Sequence, residues 1–135
     1  MGVPDKRWLA IVNPTAARGK CAERVGPALD DLRWRGLTVV TRCTAKRGDG
    51  ILHAQQGLAE GFTRFIAVGG DGTVNEVVNG IAPNCSDGSI TIATLPLGTS
   101  NSFLRDFDQQ KPGNAIKRIA TGTAEPCDVI RCRFS

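Results

Sequence analysis

Within five consecutive positions the chain sets three glycines, one carboxylate and one hydroxyl: Gly69, Gly70, Asp71, Gly72 and Thr73. Glycine tolerates positive φ and lets a ligand come close to the backbone amides. The stretch is therefore suited to cradling a phosphate. Thr73 and Glu76 have capping-box spacing, and Val74, Val77, Val78 and Ile81 recur at i, i+3, i+4 and i+7, which predicts a helix starting at Thr73 and stopping at Gly80. A helix N-terminus directly behind a glycine loop carries unpaired N–H groups and a partial positive charge, a setting that attracts anions. Asp71 runs against this, because a carboxylate repels phosphate oxygens unless a metal ion or a hydrogen-bond donor stands between them. It argues for Mg²⁺ or an ordered network. The competing reading is a glycine turn with a solvated Asp, and short motifs of this kind match by chance often enough to keep it open.

Two further stretches share the small, polar character of the first. Asn13-Pro14 closes the apolar run Trp8 to Val12, and Pro96-Leu-Gly-Thr-Ser-Asn-Ser-Phe103 follows the β-branched run Ile90 to Leu95. Arg18 and Lys20 could bring positive charge near a phosphate, although a solvated basic loop is the commoner use of such residues. His53, the only histidine, falls in a predicted helix away from these motifs and reads as structural. Trp8 and Trp34 read as packing residues.

The elements that must hold these stretches follow from the pattern between them. Strands are predicted at Trp8 to Val12, Leu37 to Arg42, Arg64 to Val68 and Ile90 to Leu95, with a return to alternation at Cys127 to Phe134. Helices are predicted through Val25, Leu29 and Leu32, closed by Gly36 with Pro27 in the first turn, then over Ile51 to Gly61 and Gly113 to Thr121, with a short helix opening at Phe103, Leu104 and Phe107. Strands alternating with helices indicate βαβ units and a three-layer α/β fold with a mainly parallel sheet and flanking helices. In such sheets ligands sit beyond the carboxyl ends of the strands. Asn13-Pro14, Thr44, Gly69 to Gly72 and Gly98 to Asn101 all fall at the ends of successive predicted strands.

At 135 residues the chain suits one domain. A formal net charge of +4 favours anionic partners without selecting one. No apolar run approaches the length of a membrane span, and the N-terminus lacks a signal-peptide core. Five cysteines, odd in number and with no CxxC pair, read as reduced, which suits a cytoplasmic setting.

With these motifs placed, residues 1–135 resemble the diacylglycerol kinase catalytic domain family, which includes bacterial lipid kinases and sphingosine and ceramide kinases. The resemblance rests on Asn13-Pro14, on Gly69-Gly70-Asp71-Gly72-Thr73 with Asn75-Glu76, and on Pro96-Leu97-Gly98-Thr99-Ser100-Asn101. The glycine motif is shared with NAD kinases and phosphofructokinases, and the third stretch tips the choice. The resemblance implies a phosphofructokinase or NAD kinase-like domain that binds ATP and Mg²⁺ and serves transfer of the γ-phosphate to a lipid hydroxyl. It implies Asn13, Pro14, Thr44, Gly69, Gly70, Gly72, Thr73, Asn75, Glu76, Gly98, Thr99 and Asn101 as nucleotide-binding residues. Asp71 is implied as the catalytic residue, and Asp71 with Asp128 as metal-binding residues.

The same resemblance implies contact with a lipid acceptor and peripheral membrane contact in a full-length protein, with no nucleic-acid partner. The chain departs from the family at Ser102, where many members have Asp, and at Ala17, where Gly is frequent. Family members continue into a β-sandwich domain that supplies the general base. The chain is thus expected to be the nucleotide-binding half, inactive by itself, from an excised piece or a shortened gene product. A small-molecule kinase related to NAD kinases and a non-catalytic nucleotide-binding regulatory module stand as alternatives.

Overall fold

Trp8–Val12 is apolar at every position, and all five side chains are buried. A strand buried on both faces needs layers above and below it, which is the signature of a parallel sheet covered by helices. The computed structural model describes residues 6–16, 19–85, 88–97 and 112–122. Its elements are β1 (Trp8–Val12), α1 (Lys20–Trp34), β2 (Val39–Cys43), α2 (Asp49–Ala59), β3 (Arg64–Gly69), α3 (Asp71–Ile81), β4 (Thr91–Pro96) and α4 (Pro112–Thr121). The four strands are all parallel, in the order β2-β1-β3-β4. The α/β three-layer architecture expected from the alternation is what forms.

Period-two alternation sorts the central strands between two cores. Trp8, Ala10, Val12, Ile66, Val68 and Leu95 face one layer, where α1 supplies Cys21, Leu29 and Leu32 and α4 supplies Ala115 and Ile116. Leu9, Ile11, Phe65 and Ala67 face the other, against Ala54 of α2 and Val77 and Ile81 of α3. Each large side chain fully buried here contributes about 1.5–3 kcal/mol by removing apolar surface from water. Because the strands run parallel, all four carboxyl ends lie at one edge. Asn13 leaves β1 there, Thr44 leaves β2, Gly70 leaves β3 and Leu97 leaves β4.

The element boundaries differ from the expected ones in informative ways. The second strand begins at Val39 instead of Leu37, because the Leu37 amide donates to the Leu32 carbonyl and belongs to the turn that ends α1. Gly36, at φ 97, makes that turn as expected. Pro27 sits inside α1 and not in its first turn, since the helix begins at Lys20 after a left-handed Gly19. Its side chain is exposed, so the pyrrolidine ring adds no crowding inside the core.

Gly80 does not stop the third helix, which runs from Asp71 to Ile81. A Cβ at Gly80 would lie 2.6 Å from Ala54 Cβ and 2.6 Å from the Ile51 carbonyl oxygen. The glycine is there to let α2 and α3 touch. Trp8 packs in the core, with the Arg64 guanidinium 5.8 Å from its ring centre, whereas Trp34 is 90% exposed at the solvent side of the last turn of α1 and is not a packing residue. The short helix expected at Phe103 and the strand expected at Cys127 to Phe134 lie outside the described residues.

Candidate functional site

The loop between β3 and α3 is shaped by one glycine more than by the others. Gly69 has φ 152, a region that residues with a side chain rarely enter, and a Cβ on it would lie 2.6 Å from Thr73 Oγ1 and 3.5 Å from Asn13 Cβ. Gly69, Thr73 and Asn13 therefore form one tight corner. Gly70 is extended, at φ −121, and does not use the positive φ expected of it. Gly72 is exposed and nothing lies within 4 Å of the position a Cβ would take, so its use is the clearance it leaves above the first turn of α3.

Thr73 is buried, 4% exposed, and sits inside α3. The helix starts two residues earlier, at Asp71, with Gly70 as its N-cap and no side-chain cap bond. The capping box expected from Thr73 and Glu76 does not form at this helix, because Glu76 is engaged elsewhere. Its Oε1 accepts hydrogen bonds from the Gly48 amide at 2.7 Å and the Gly50 amide at 3.2 Å, at the start of α2. Glu76 caps the neighbouring helix. A helix whose N-cap is a glycine receives no cap from that residue's side chain, and its positive end is directed at whatever lies over Gly70 to Gly72.

The ends of the other strands assemble around this loop. Asn13 donates its amide to the Val68 carbonyl at 3.0 Å, and its Oδ1 accepts from the Thr15 amide at 3.1 Å and the Thr15 hydroxyl at 2.7 Å. That bonding fixes Oδ1 as the acceptor and leaves Nδ2 as the side chain's donor. Pro14 follows in the turn and supports the same geometry by terminating the strand. The Thr44 amide donates to the Val12 carbonyl at 2.8 Å, which holds the start of the β2–α2 loop beside Asn13.

Farther along that loop, Asp49 Oδ2 accepts from the Ala45 amide at 2.8 Å and the Lys46 amide at 3.0 Å. These two bonds hold the Asp49 carboxyl below its ordinary range, since they favour the charged form. His53 donates from Nε2 to the Cys43 carbonyl at 3.1 Å, so its role is to brace the end of β2. It lies closer to the loop edge than its distance in sequence from the motifs suggests. Burial raises the pKa of the Cys21 thiol, in the first turn of α1, with Cys43 adding to the shift. Among the described residues, Cys21, Cys43 and Cys85 form no disulfide.

On the β4 side, Gly69 pairs with Pro96, and the Leu97 amide donates to the Gly69 carbonyl at 3.1 Å. The start of the second special loop is thereby held against the first. Gly98, Thr99, Asn101 and Asp128 lie outside the described residues. Asn75 is exposed on α3, and its Oδ1 and carbonyl accept from Asn79 Nδ2 at 3.1 and 2.8 Å. The structure thus brings Asn13, Pro14, Thr44, Gly69, Gly70, Asp71, Gly72 and Thr73 to one edge, with Glu76 behind them as a support. Sequence reasoning missed Asp49 and the true partner of Glu76. The aspartate at the first position of a helix after Gly48 was the available signal for Asp49.

No three His, Cys, Asp or Glu side chains among the described residues converge on a metal site. A shallow groove lined by Leu58, Phe62, Asn84 and Ile90 opens at the opposite edge of the sheet and holds none of the predicted residues.

The chain is similar to known proteins in sequence and in fold. The chain matches the family described as the diacylglycerol kinase catalytic domain over residues 7–132. It is 34% identical over 126 residues to a diacylglycerol kinase of Bacillus subtilis, a match covering 92% of this chain and 41% of that protein. A diacylglycerol kinase of Staphylococcus aureus is 38% identical over 100 residues, covering 74% of this chain and 31% of the relative. Among solved structures, a diacylglycerol kinase from Bacillus anthracis superposes with a TM-score of 0.72 at 32% identity, over 85% of this chain and 42% of that one. The chain spans about two fifths of the length of the first of these relatives. With the family match extending across nearly all of its residues, the chain belongs to the diacylglycerol kinase catalytic domain family.

Proposed function

We propose that this chain is the ATP-binding domain of a lipid kinase that transfers the γ-phosphate of ATP to the hydroxyl of diacylglycerol or a related lipid. The observation that carries the reading is the corner at Gly69. Its backbone conformation and the open space at Gly72 present the start of α3, whose N-cap is the glycine Gly70, at the same edge as Asn13 and Thr44. Phosphoryl transfer asks mainly for positioning and charge stabilisation. Backbone N–H groups at the head of α3 would bind phosphate oxygens, Asn13 Nδ2 would add a donor, and Thr44 would bound the nucleotide on the β2 side. Gly98, Thr99 and Asn101 are proposed as further nucleotide-binding residues.

Asp71 is the residue proposed to hold or orient Mg²⁺. One carboxylate beside a phosphate loop fits this ion, which commonly keeps several waters and takes one or two carboxylates together with phosphate oxygens. The ion would offset phosphate charge during transfer. Asp128 is proposed as a further metal residue. The lipid acceptor and any contact with a membrane surface belong to the proposed activity of the whole protein. No helix among the described residues is long and apolar enough to cross a membrane.

Calorimetric titration with ATP and Mg²⁺ tests the reading. Saturable binding is expected for the wild-type chain, together with loss of the Mg²⁺ dependence in Asp71→Ala. No saturable binding, or a variant indistinguishable from wild type, would refute it. Phosphorylation of diacylglycerol and of other acceptors by the full-length protein then identifies the lipid.

A further inference from the structure

Glu76 stands five residues beyond Asp71 on the same helix, yet its carboxylate points to a different loop. Oε1 receives the amides of Gly48 and Gly50, 28 and 26 residues earlier in the chain. Both glycines are needed for that approach. Gly48 has φ 94, and a Cβ on Gly50 would come within 2.9 Å of Glu76 Cβ. Neither amide has a side-chain cap from its own segment, since the N-cap of α2 is Gly48 itself and makes no such bond. The β2–α2 loop is consequently tied at three points: Thr44 to Val12, Asp49 to Ala45 and Lys46, and Gly48 and Gly50 to Glu76. Of these three, the last reaches the helix that begins at Asp71.

We infer that Glu76 is a positioning residue, which locks the loop carrying Thr44 to the helix whose first turn forms the phosphate loop. The inference rests on the nucleotide reading given above and deepens it. An ionised carboxylate receiving two backbone amides makes charge-assisted bonds, stronger than neutral ones. It holds α2 and α3 as one unit, so a nucleotide meets Thr44 and the Gly69 corner at a fixed separation. Glu76 touches neither substrate nor metal in this role. Its contribution is to binding geometry, and it acts through Gly48 and Gly50.

The test compares Glu76→Ala, Glu76→Gln and Gly57→Ala in the full chain. Gly57→Ala crowds Leu9 and Phe65 where α2 packs on the sheet, away from the α2–α3 crossing and the carboxylate, and serves as the control for mere loss of packing. Amide exchange in the ligand-free protein and the Kd for ATP with Mg²⁺ are read at temperatures where each variant is fully folded. Glu76→Ala is expected to speed exchange at Gly48 and Gly50 by about tenfold and to weaken ATP by about tenfold, the scale of one lost hydrogen bond to a charged group. Glu76→Gln, which keeps an acceptor oxygen, is expected within about threefold of wild type on both counts.

Gly57→Ala should leave both readouts near wild type despite its own loss of thermal stability. Equal weakening in Gly57→Ala and Glu76→Ala overturns the positioning role, as does unchanged ATP affinity in Glu76→Ala when the wild-type chain binds. Absence of saturable binding by the wild-type chain overturns the nucleotide reading and, with it, the role given to Glu76.

Discussion

Replacing Gly69 with Ala probes the corner on which the site depends. At φ 152 an L-residue is strained, which costs about 1–3 kcal/mol. The new Cβ would also lie 2.6 Å from Thr73 Oγ1 and 3.3 Å from Thr73 Cβ. Thr73 is buried and β-branched, so it has few rotamers to retreat into, and forcing it off its well adds about 0.5–1.5 kcal/mol. Together these give about 2–4 kcal/mol, a large share of the roughly 5–15 kcal/mol that stabilises a domain.

Urea unfolding should then show a midpoint lower by about 1–2 M with an unchanged slope. A double-mutant cycle with Thr73→Ala separates the two terms. Removing Oγ1 relieves the clash but not the strained φ, so a coupling energy of about 1 kcal/mol is expected in the favourable direction. Gly72→Ala is the contrast within the same motif, because nothing lies near its would-be Cβ and its φ is not in the left-handed region. It should change stability by no more than about 0.5–1 kcal/mol, with helix propensity favouring Ala. A Gly69→Ala protein within about 0.5 kcal/mol of wild type, or strictly additive behaviour with Thr73→Ala, would refute the account of this corner.

Other expectations follow from features at and around the same loops. Gly80→Ala should destabilise more than Gly57→Ala in thermal melts, by about 1 kcal/mol or more, because its Cβ meets the Ile51 carbonyl oxygen, whereas at Gly57 the nearest atom is the terminal methyl of Leu9; equal losses would contradict this. The Asp49 carboxyl has a folded pKa below its ordinary 3.8, so its stabilising effect is present above that value and is lost as pH falls through the folded pKa. The melting temperature of wild type relative to Asp49→Asn should therefore hold steady near neutrality and shrink below about pH 4. A difference independent of pH would show that the two loop bonds do not depend on the charge.

Much of the architecture could be read from spacing alone. Val74, Val77, Val78 and Ile81 announced α3, and the apolar run at Trp8 announced a central strand, because periodicity records which face is buried. What misled was residues with more than one use. Glycine marks both helix ends and close helix contacts, so Gly80 resembled a stop while serving a crossing with Ala54 and Ile51. Glu76 had the right spacing for a local cap, but its acceptor oxygen was claimed by amides brought near only by the folding of α2 against α3. Non-local hydrogen bonds leave no trace in local spacing. The convergence of Asn13, Thr44 and Gly69 was legible for a topological reason, since parallel strands deliver their ends to one edge whatever their order.

The strand order carries a consequence for how the chain reaches its folded state. β1 pairs with β3, whose register sets Trp8 against Arg64, about 56 residues apart, and no two neighbouring strands are joined by a hairpin. Every pairing in the sheet has to wait for a long stretch of chain to close upon itself. The corner at Gly69 cannot exist until β3 has docked on β1, because Asn13 is held there through the Val68 carbonyl. The edge assigned to nucleotide is thus among the later parts to be assembled. A ligand that recognises it selects fully folded molecules, raises the unfolding temperature with its concentration, and leaves partly folded chains without an address.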